Sequence, residues 1–549
     1  MAASAPIPLI IRSSKPSCPP SLSLACYWAV LTTSPDSIML IFADKIWIWV
    51  KSVYLRITLN RVTGVFFILS LIFCFAQSIT QSFLYSLDDN WRALVSDVVD
   101  HANINKSVFV QYTGRHGKYS LDLCNDTPLL ENACVPYYTS GQMNVTIPYG
   151  FKRQVYDGQA VSQILQSNWI SPQGTASNDL QVQSIVRPAG VDVKISEVRN
   201  PNNSVTLSPQ CTRILLYPDQ KLQEFRREVL ALIALQFWLF SLSVFAILRE
   251  SIPHLLALLC ARALSTGWSG YTLWRTFNIQ DRVHHLIGEP DTPCSLDVFP
   301  LYFKMRTSYQ IPDLVLNCIA LSFSILLIWK LLKVYSVQTF KHVGPPKSIV
   351  RIYKNYLAVL VCLQLSVFFL VVAMSLWVDQ LMNSAIKEIS GHTKIYFALF
   401  TTTTVFLLPW IILGWYSVRR ENKGMMVAFS AIGFVFITCW SIMFYSRVYR
   451  FTFVDWPFFG SMTVSSFIVM ILSVVFGIIS RLNFKHGLTQ YLDMEDTMAR
   501  SDIEPDIFSL ISGESSGRKQ MSFQRTDTLF PFYFQTRLHF PSNMKSTSF

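Results

Sequence analysis

Charge is what this chain has least of. Asp, Glu, Lys and Arg make up only 15% of its 549 residues, against 51% hydrophobic, whereas soluble proteins carry about a quarter charged residues. That shortage excludes an ordinary soluble globular protein and points to a membrane. Acids are scarcer than bases, 34 against 46, for a formal net charge of +12. Zinc-finger spacing and a basic heptad region are both absent, so the excess does not indicate nucleic acid. It collects in short loops between apolar runs, as on the cytosolic side of polytopic membrane proteins.

The chain also lacks an H-E-x-x-H site, a P-loop and paired carboxylates within its apolar runs. Metal-dependent hydrolysis, nucleotide binding and transport coupled to intramembrane acids therefore have no visible basis. One G-x-S-x-G match, Gly513 to Gly517, lies in a tail without strand or helix signals. The nucleophile elbow works only on a strand-to-helix turn, so this copy is set aside. The reading is of a protein that is not an enzyme and has no cofactor and no metal site. Asp281, His284 and His285 share one loop, but further ligands are not visible beside them.

What the chain has in abundance is apolar runs of membrane-crossing length, about 20 residues each. They lie at 62–84, 229–248, 252–274, 314–333, 357–378, 395–417, 425–446 and 462–480. The first follows Lys45, Lys51, Arg56 and Arg61, so its N-terminal end is expected in the cytosol. It reads as an uncleaved anchor; a signal peptide cut after Ala76 is the alternative. Residues 1–61 read as a partly disordered cytosolic segment. "MLIFADKIWIWV" from Met39 looks like a natural beginning. Residues 481–549 have no sustained period and read as a disordered cytosolic tail, in which Tyr491–Met494 resembles a short sorting signal.

Residues 85–228 have another texture. "SVFVQYTG", "YSLDLC", "NVTIPYG", "LQVQSIV", "VDVKISEV" and "RILLY" alternate apolar and polar side chains, with turn formers between them. This is strand periodicity, and it predicts a small β-rich domain preceded by a helical stretch over "LDDNWRALVSDVVDHA". All four N-glycosylation sequons, at Asn105, Asn125, Asn144 and Asn202, fall here. Their concentration in one segment places the domain outside the cytosol.

The run "IPHLLALLCARALSTGWSGYTLW" at 252–274 decides the topology, because Arg262 stands at its middle. A midplane arginine costs roughly 2.5–3.5 kcal/mol on an insertion scale, while each Leu or Ile contributes about −0.3 to −0.6. Ile252 and six leucines offset it approximately. If the run crosses, the Lys-rich loop at 334–356 and "VRRENKG" at 418–424 become cytosolic, together with Arg481 and Lys485. If it does not, those basic loops face outside, against the usual bias. Crossing also places Cys124, Cys134, Cys211 and Cys294 together in an oxidising compartment. Pairing of Cys124 with Cys134 and of Cys211 with Cys294 is the preferred connectivity of three. The expected fold is α-helical and polytopic: one anchor, a β-rich extracytosolic domain, and a seven-helix bundle, with both termini cytosolic.

Within the bundle Arg262, Ser265, Ser269 and Thr272 recur at helical spacing, and Ala261, Ser265 and Ser269 form a small-residue ridge. Such a face packs on other helices. An intramembrane arginine needs a partner, and Gln236, Asn317, Gln364 or the threonines at 401–404 are available. A structural role is preferred over binding of an anionic ligand or lipid. "FTTTTVFLLPW" predicts a helix kinked at Pro409.

"WVDQL" (377–381), "RLNFKHGLTQYL" (481–492) and "VYSVQTFKHVG" (334–344) resemble features of uncharacterised multi-pass membrane proteins from fungi. The resemblance spans the bundle, about Arg227 to Leu492, and implies no activity. The functional expectation is a receptor-like sensor of the cell surface or endomembranes, in the bilayer, with an extracytosolic ligand or protein partner and no nucleic acid. A transporter of a lipid or small apolar solute, or a non-catalytic scaffold, is the alternative.

Overall fold

Long helices dominate because the apolar runs are extended at one end by amphipathic sequence. The computed structural model describes residues 57–58, 60–104, 109–115, 118–124, 134–139, 180–188, 190–197, 204–289, 292–294, 299–340, 347–383 and 393–484. Helix α1 (Arg61–His101) contains both the expected anchor and the helical stretch after it, without a break. Its start is set by Asn60, whose side chain accepts from the Val62 amide. Among the described residues six strands follow: β1 (Phe109–Arg115), β2 (Lys118–Cys124), β3 (Cys134–Thr139), β4 (Leu180–Arg187), β5 (Gly190–Glu197) and β6 (Ser204–Leu207). They form two antiparallel three-stranded sheets, β1-β2-β3 and β4-β5-β6. The runs at "NVTIPYG", all four sequon asparagines, the N-terminal segment and the tail lie outside the described residues.

"RILLY" is not a strand. Ser208-Pro209 starts helix α2 (Pro209–Ile214), with the Ser208 side chain accepting from the Cys211 amide and proline at the first helical position. Helix α3 (Leu216–Leu248) continues from it. A cap and a proline outweigh three apolar residues that fit either period. After the turn at 249–251, α4 (Ile252–Val283) runs into a π-helical turn, His284–Gly288. Helix α5 (Phe299–Phe340) follows. The described residues between the runs expected at 252–274 and 314–333, including the loop of Asp281, His284 and His285, are therefore largely helical.

The remaining helices are α6 (Lys347–Asn383), α7 (Thr393–Arg419), α8 (Lys423–Met443), α9 (Arg447–Asp455) and α10 (Pro457–Leu482). Among the described residues, seven helices are long and apolar enough to cross a membrane: α1, α2–α3, α5, α6, α7, α8 and α10. The chain is thus a mostly helical multi-pass membrane protein. Helix α4 has the length but is more polar, with Arg262 in its apolar part.

Packing follows two groups. Helices α1, α3, α4 and α5 lie against one another, and α6, α7, α8 and α10 form the second set, joined to the first mainly through α4 and α6. One core runs through both sets, with Leu239, Leu258, Val359, Trp377, Trp410 and Phe429 buried in it. A second core lies at the sheet-bearing end and joins Trp91, Leu121, Val193, Tyr217, Leu286 and Tyr302. In α8, Gly433 brings the backbone close to α10, where a Cβ would stand 2.6 Å from Val474 Cγ2.

Candidate functional site

Polar side chains within α1, α3, α4 and α5 gather on the faces these helices turn to one another. A helix face that buries Ser, Thr, Asn, Gln or ionised groups keeps them off lipid by bonding them across to its neighbours. The result is a column of polar contacts from the middle of the four helices to their sheet-bearing end.

At its inner end Arg262 is only 3% exposed. Its guanidinium donates to Gln77 Oε1 on α1 at 2.6 Å and to Gln236 Oε1 on α3 at 3.0 Å. Gln236 was among the partners read from sequence; Gln77 was not. The signal for Gln77 was modest, an amide beside "CFA" inside an apolar run. Gln364 on α6 does not join this group, and its Oε1 is buried without a hydrogen-bond partner. The threonines of α7 are also elsewhere, with Thr401 donating to the Phe397 carbonyl and Thr403 and Thr404 to Met374 Sδ. Beside Arg262 is a small crevice bounded by Phe66, Ser70 and Phe73 of α1, Ser243 of α3, Leu258 of α4, and Phe323 and Leu327 of α5.

About one helical turn towards the sheets, Ser265 meets Asn317 Oδ1 at 3.3 Å. Asp313 then accepts from Ser269 at 2.9 Å, from Asn317 Nδ2 at 3.1 Å and from Gln81 at 3.4 Å. Asp313 directly follows Pro312, one residue before the apolar run expected to begin at 314, so sequence reading left it outside the span. The helix has no boundary there. Asp313 thus adds a buried acid to these contacts, at the edge of the span expected from 314 rather than at its centre.

Further along, Glu228 of α3 accepts from Trp268 Nε1 at 2.8 Å and pairs with Arg275, both on α4. Asp88 of α1 pairs with Arg306 and accepts from Tyr302 at 2.7 Å, both on α5. Arg306 stacks over the Phe225 ring with 3.9 Å to its centroid. These buried ions are all paired, as burial requires. Two more pairs join the helix sets: Arg227 with Asp379 and Gln380 of α6, and Lys221 with Asp455 of α9 at 2.9 Å.

The sheet-bearing end is tied down covalently. Cys124 bonds Cys134 across β2 and β3, and Cys211 bonds Cys294. The second bond closes 83 residues of sequence separation and fastens α2 to the connection before α5. Around it Tyr112 stacks with Tyr119, with ring centroids 5.9 Å apart, and Arg282 of α4 lies 5.2 Å from the Tyr112 centroid. Burial pushes the Tyr112 phenol up to about 12, Tyr119 adding to the shift and Arg282 opposing it. Tyr119 in turn stacks on His285 at 4.6 Å.

Comparisons with protein-family models, with curated proteins and with solved structures found no match. The likeness to fungal membrane proteins therefore rests on the sequence features alone.

Proposed function

We propose that this is a receptor-like membrane protein in which an extracytosolic domain binds a ligand and the helices carry the consequence across the bilayer. The observation behind this reading is the continuity of α1, α3, α4 and α5. Each is 32 to 42 residues long, against about 20 needed to span hydrocarbon. The surplus turns enter the same core as the two sheets. Among the described residues β6 passes through Ser208 straight into α2, and the sheets share a buried core with the four helices, so a displacement at the sheets is delivered to the polar column.

On this reading α4 is an eighth crossing. Its contacts with α3 proceed in antiparallel order, from Arg262 with Gln236 to Arg275 and Trp268 with Glu228. This antiparallel course beside α3, itself an apolar helix of crossing length, supports the reading. The charge bias of the loops at 334–356 and 418–424 supports the same count, with both termini cytosolic. The test is accessibility of single tags inserted at 341–346 and at 420–422 in intact cells. Protection at both sites until the membrane is permeabilised is expected; labelling at either from outside overturns the orientation.

A second reading, a carrier of a lipid or small apolar solute, draws on the crevice beside Arg262, which offers aromatic walls and one cation. Transport of such a solute by reconstituted vesicles, abolished in Arg262→Gln, would favour it over the receptor.

A further inference from the structure

We infer that the end of α4 carries a site for a borderline divalent transition metal, with zinc as the ion its donors fit best. Three ligand-bearing residues converge there. One ligand atom each from His284, His285 and Glu289 lies within 4.8 Å of the others. Two imidazoles and a carboxylate suit zinc by donor type. Tetrahedral ligands with bonds near 2.0 Å stand about 3.3 Å apart, so the wider separations must close while the 2.5 Å contact of His285 with Glu289 opens.

The local backbone explains the convergence. At 284–288 the helix widens into a π turn, and the Glu289 amide donates to the His284 carbonyl, five residues back. Single π turns occur often at functional sites. Here the wider turn keeps adjacent histidines and a glutamate five and four residues on at one helix end. Glu289 Oε1 lies 2.5 Å from His285 Nδ1, while Asp281 Oδ1 lies 3.5 Å from His285 Nε2. That arrangement gives each ring nitrogen a carboxylate neighbour. With a metal on Nδ1 beside Glu289, the ring proton would sit on Nε2, which Asp281 is placed to accept, the carboxylate–histidine–metal relation that orients ligating imidazoles. Asp281 is thus a positioning residue. Three protein ligands leave a fourth position for water or a donor from a bound partner.

The His285 ring is held independently by its stack on Tyr119 of β2. Metal binding would therefore clamp the end of α4 beside the first sheet, near the Cys211–Cys294 bond. This inference does not depend on the receptor reading, since zinc binding is measured without any signalling response.

The experiment uses the full chain purified in detergent, stripped with chelator and titrated with zinc chloride, with bound zinc measured by equilibrium dialysis. Cobalt absorption serves as a second probe of coordination geometry. One equivalent should bind. Glu289→Gln and His284→Asn, both at accessible positions, should each weaken binding at least tenfold, with no change in thermal midpoint in chelator. Asp281→Asn should weaken it about tenfold, as expected for loss of an outer-shell partner. Equal zinc binding by the wild type and by the combined His284→Asn, His285→Asn, Glu289→Gln variant would overturn the site. So would no binding by the wild type at all.

Discussion

The Arg306 guanidinium of α5 lies on the Asp88 carboxylate of α1, with the two side chains 2% and 0% exposed. Tyr302 donates to the same carboxylate oxygen. This pair stands beyond the apolar part of both helices, against Phe225 and Tyr302 of the second core. It aligns α1 with α5 where the bundle gives way to the sheets.

Removing one member should therefore be far costlier than removing both. Asp88→Ala should destabilise the protein by about 3–5 kcal/mol, because it strands a buried guanidinium. Combining Asp88→Leu with Arg306→Met should recover most of that loss. Denaturation in detergent measures both, and a double variant no more stable than the single one would show that the pair is not simply buried ions in mutual balance.

Arg262 poses the same question at mid-column. Arg262→Leu leaves the Gln77 and Gln236 oxygens without their donor, at a cost of about 1–3 kcal/mol for a buried unsatisfied group. Adding Gln77→Leu and Gln236→Leu should restore stability. If the restored triple variant folds and reaches the membrane but no longer responds or transports, Arg262 has a task beyond packing.

The Cys211–Cys294 bond should matter more than Cys124–Cys134. Its loop is the longer, with a sequence separation of 83 against 10, and cross-linking a longer loop removes more freedom from the unfolded chain. Paired Cys211→Ser and Cys294→Ser should lower stability by about 2–5 kcal/mol. Thermal midpoints of the two paired variants, read side by side, give the comparison.

Sugar attachment at Asn105, Asn125, Asn144 and Asn202 would place residues 85–228 outside the cytosol. Glycosidase should increase gel mobility of the membrane-inserted protein, and single Asn→Gln changes should remove the shift in steps. An unchanged band in wild type would count against the extracytosolic assignment.

Helix type and number were largely legible in the chain, since an apolar run of about 20 residues reports its own helix. The strands at 109–115, 118–124, 180–187 and 190–197 were legible for a similar reason, strict alternation over six or more residues. "RILLY" was misleading because five residues fit two periods, and the deciding signal, Ser208-Pro209, sits before them. The helix ends were hidden by the change from lipid-facing to domain-facing composition. Periodicity persists through Asp88, Glu228, Arg275 and Arg306, but hydropathy does not. Glu289 was passed over because it joins His284 and His285 only after a π turn widens the helix.

By itself the sequence determined that this chain belongs in a membrane, because hydrophobic length and scarcity of charge are local quantities. Only the tertiary structure decided which polar groups answer which. Gln77 and Gln236 meet Arg262, Asp88 meets Arg306 and Asp313 meets Ser269 across separations of 26 to 218 residues. Such partnerships depend on the rotation and depth of each helix against its neighbours, and those are fixed by the packing of all four at once.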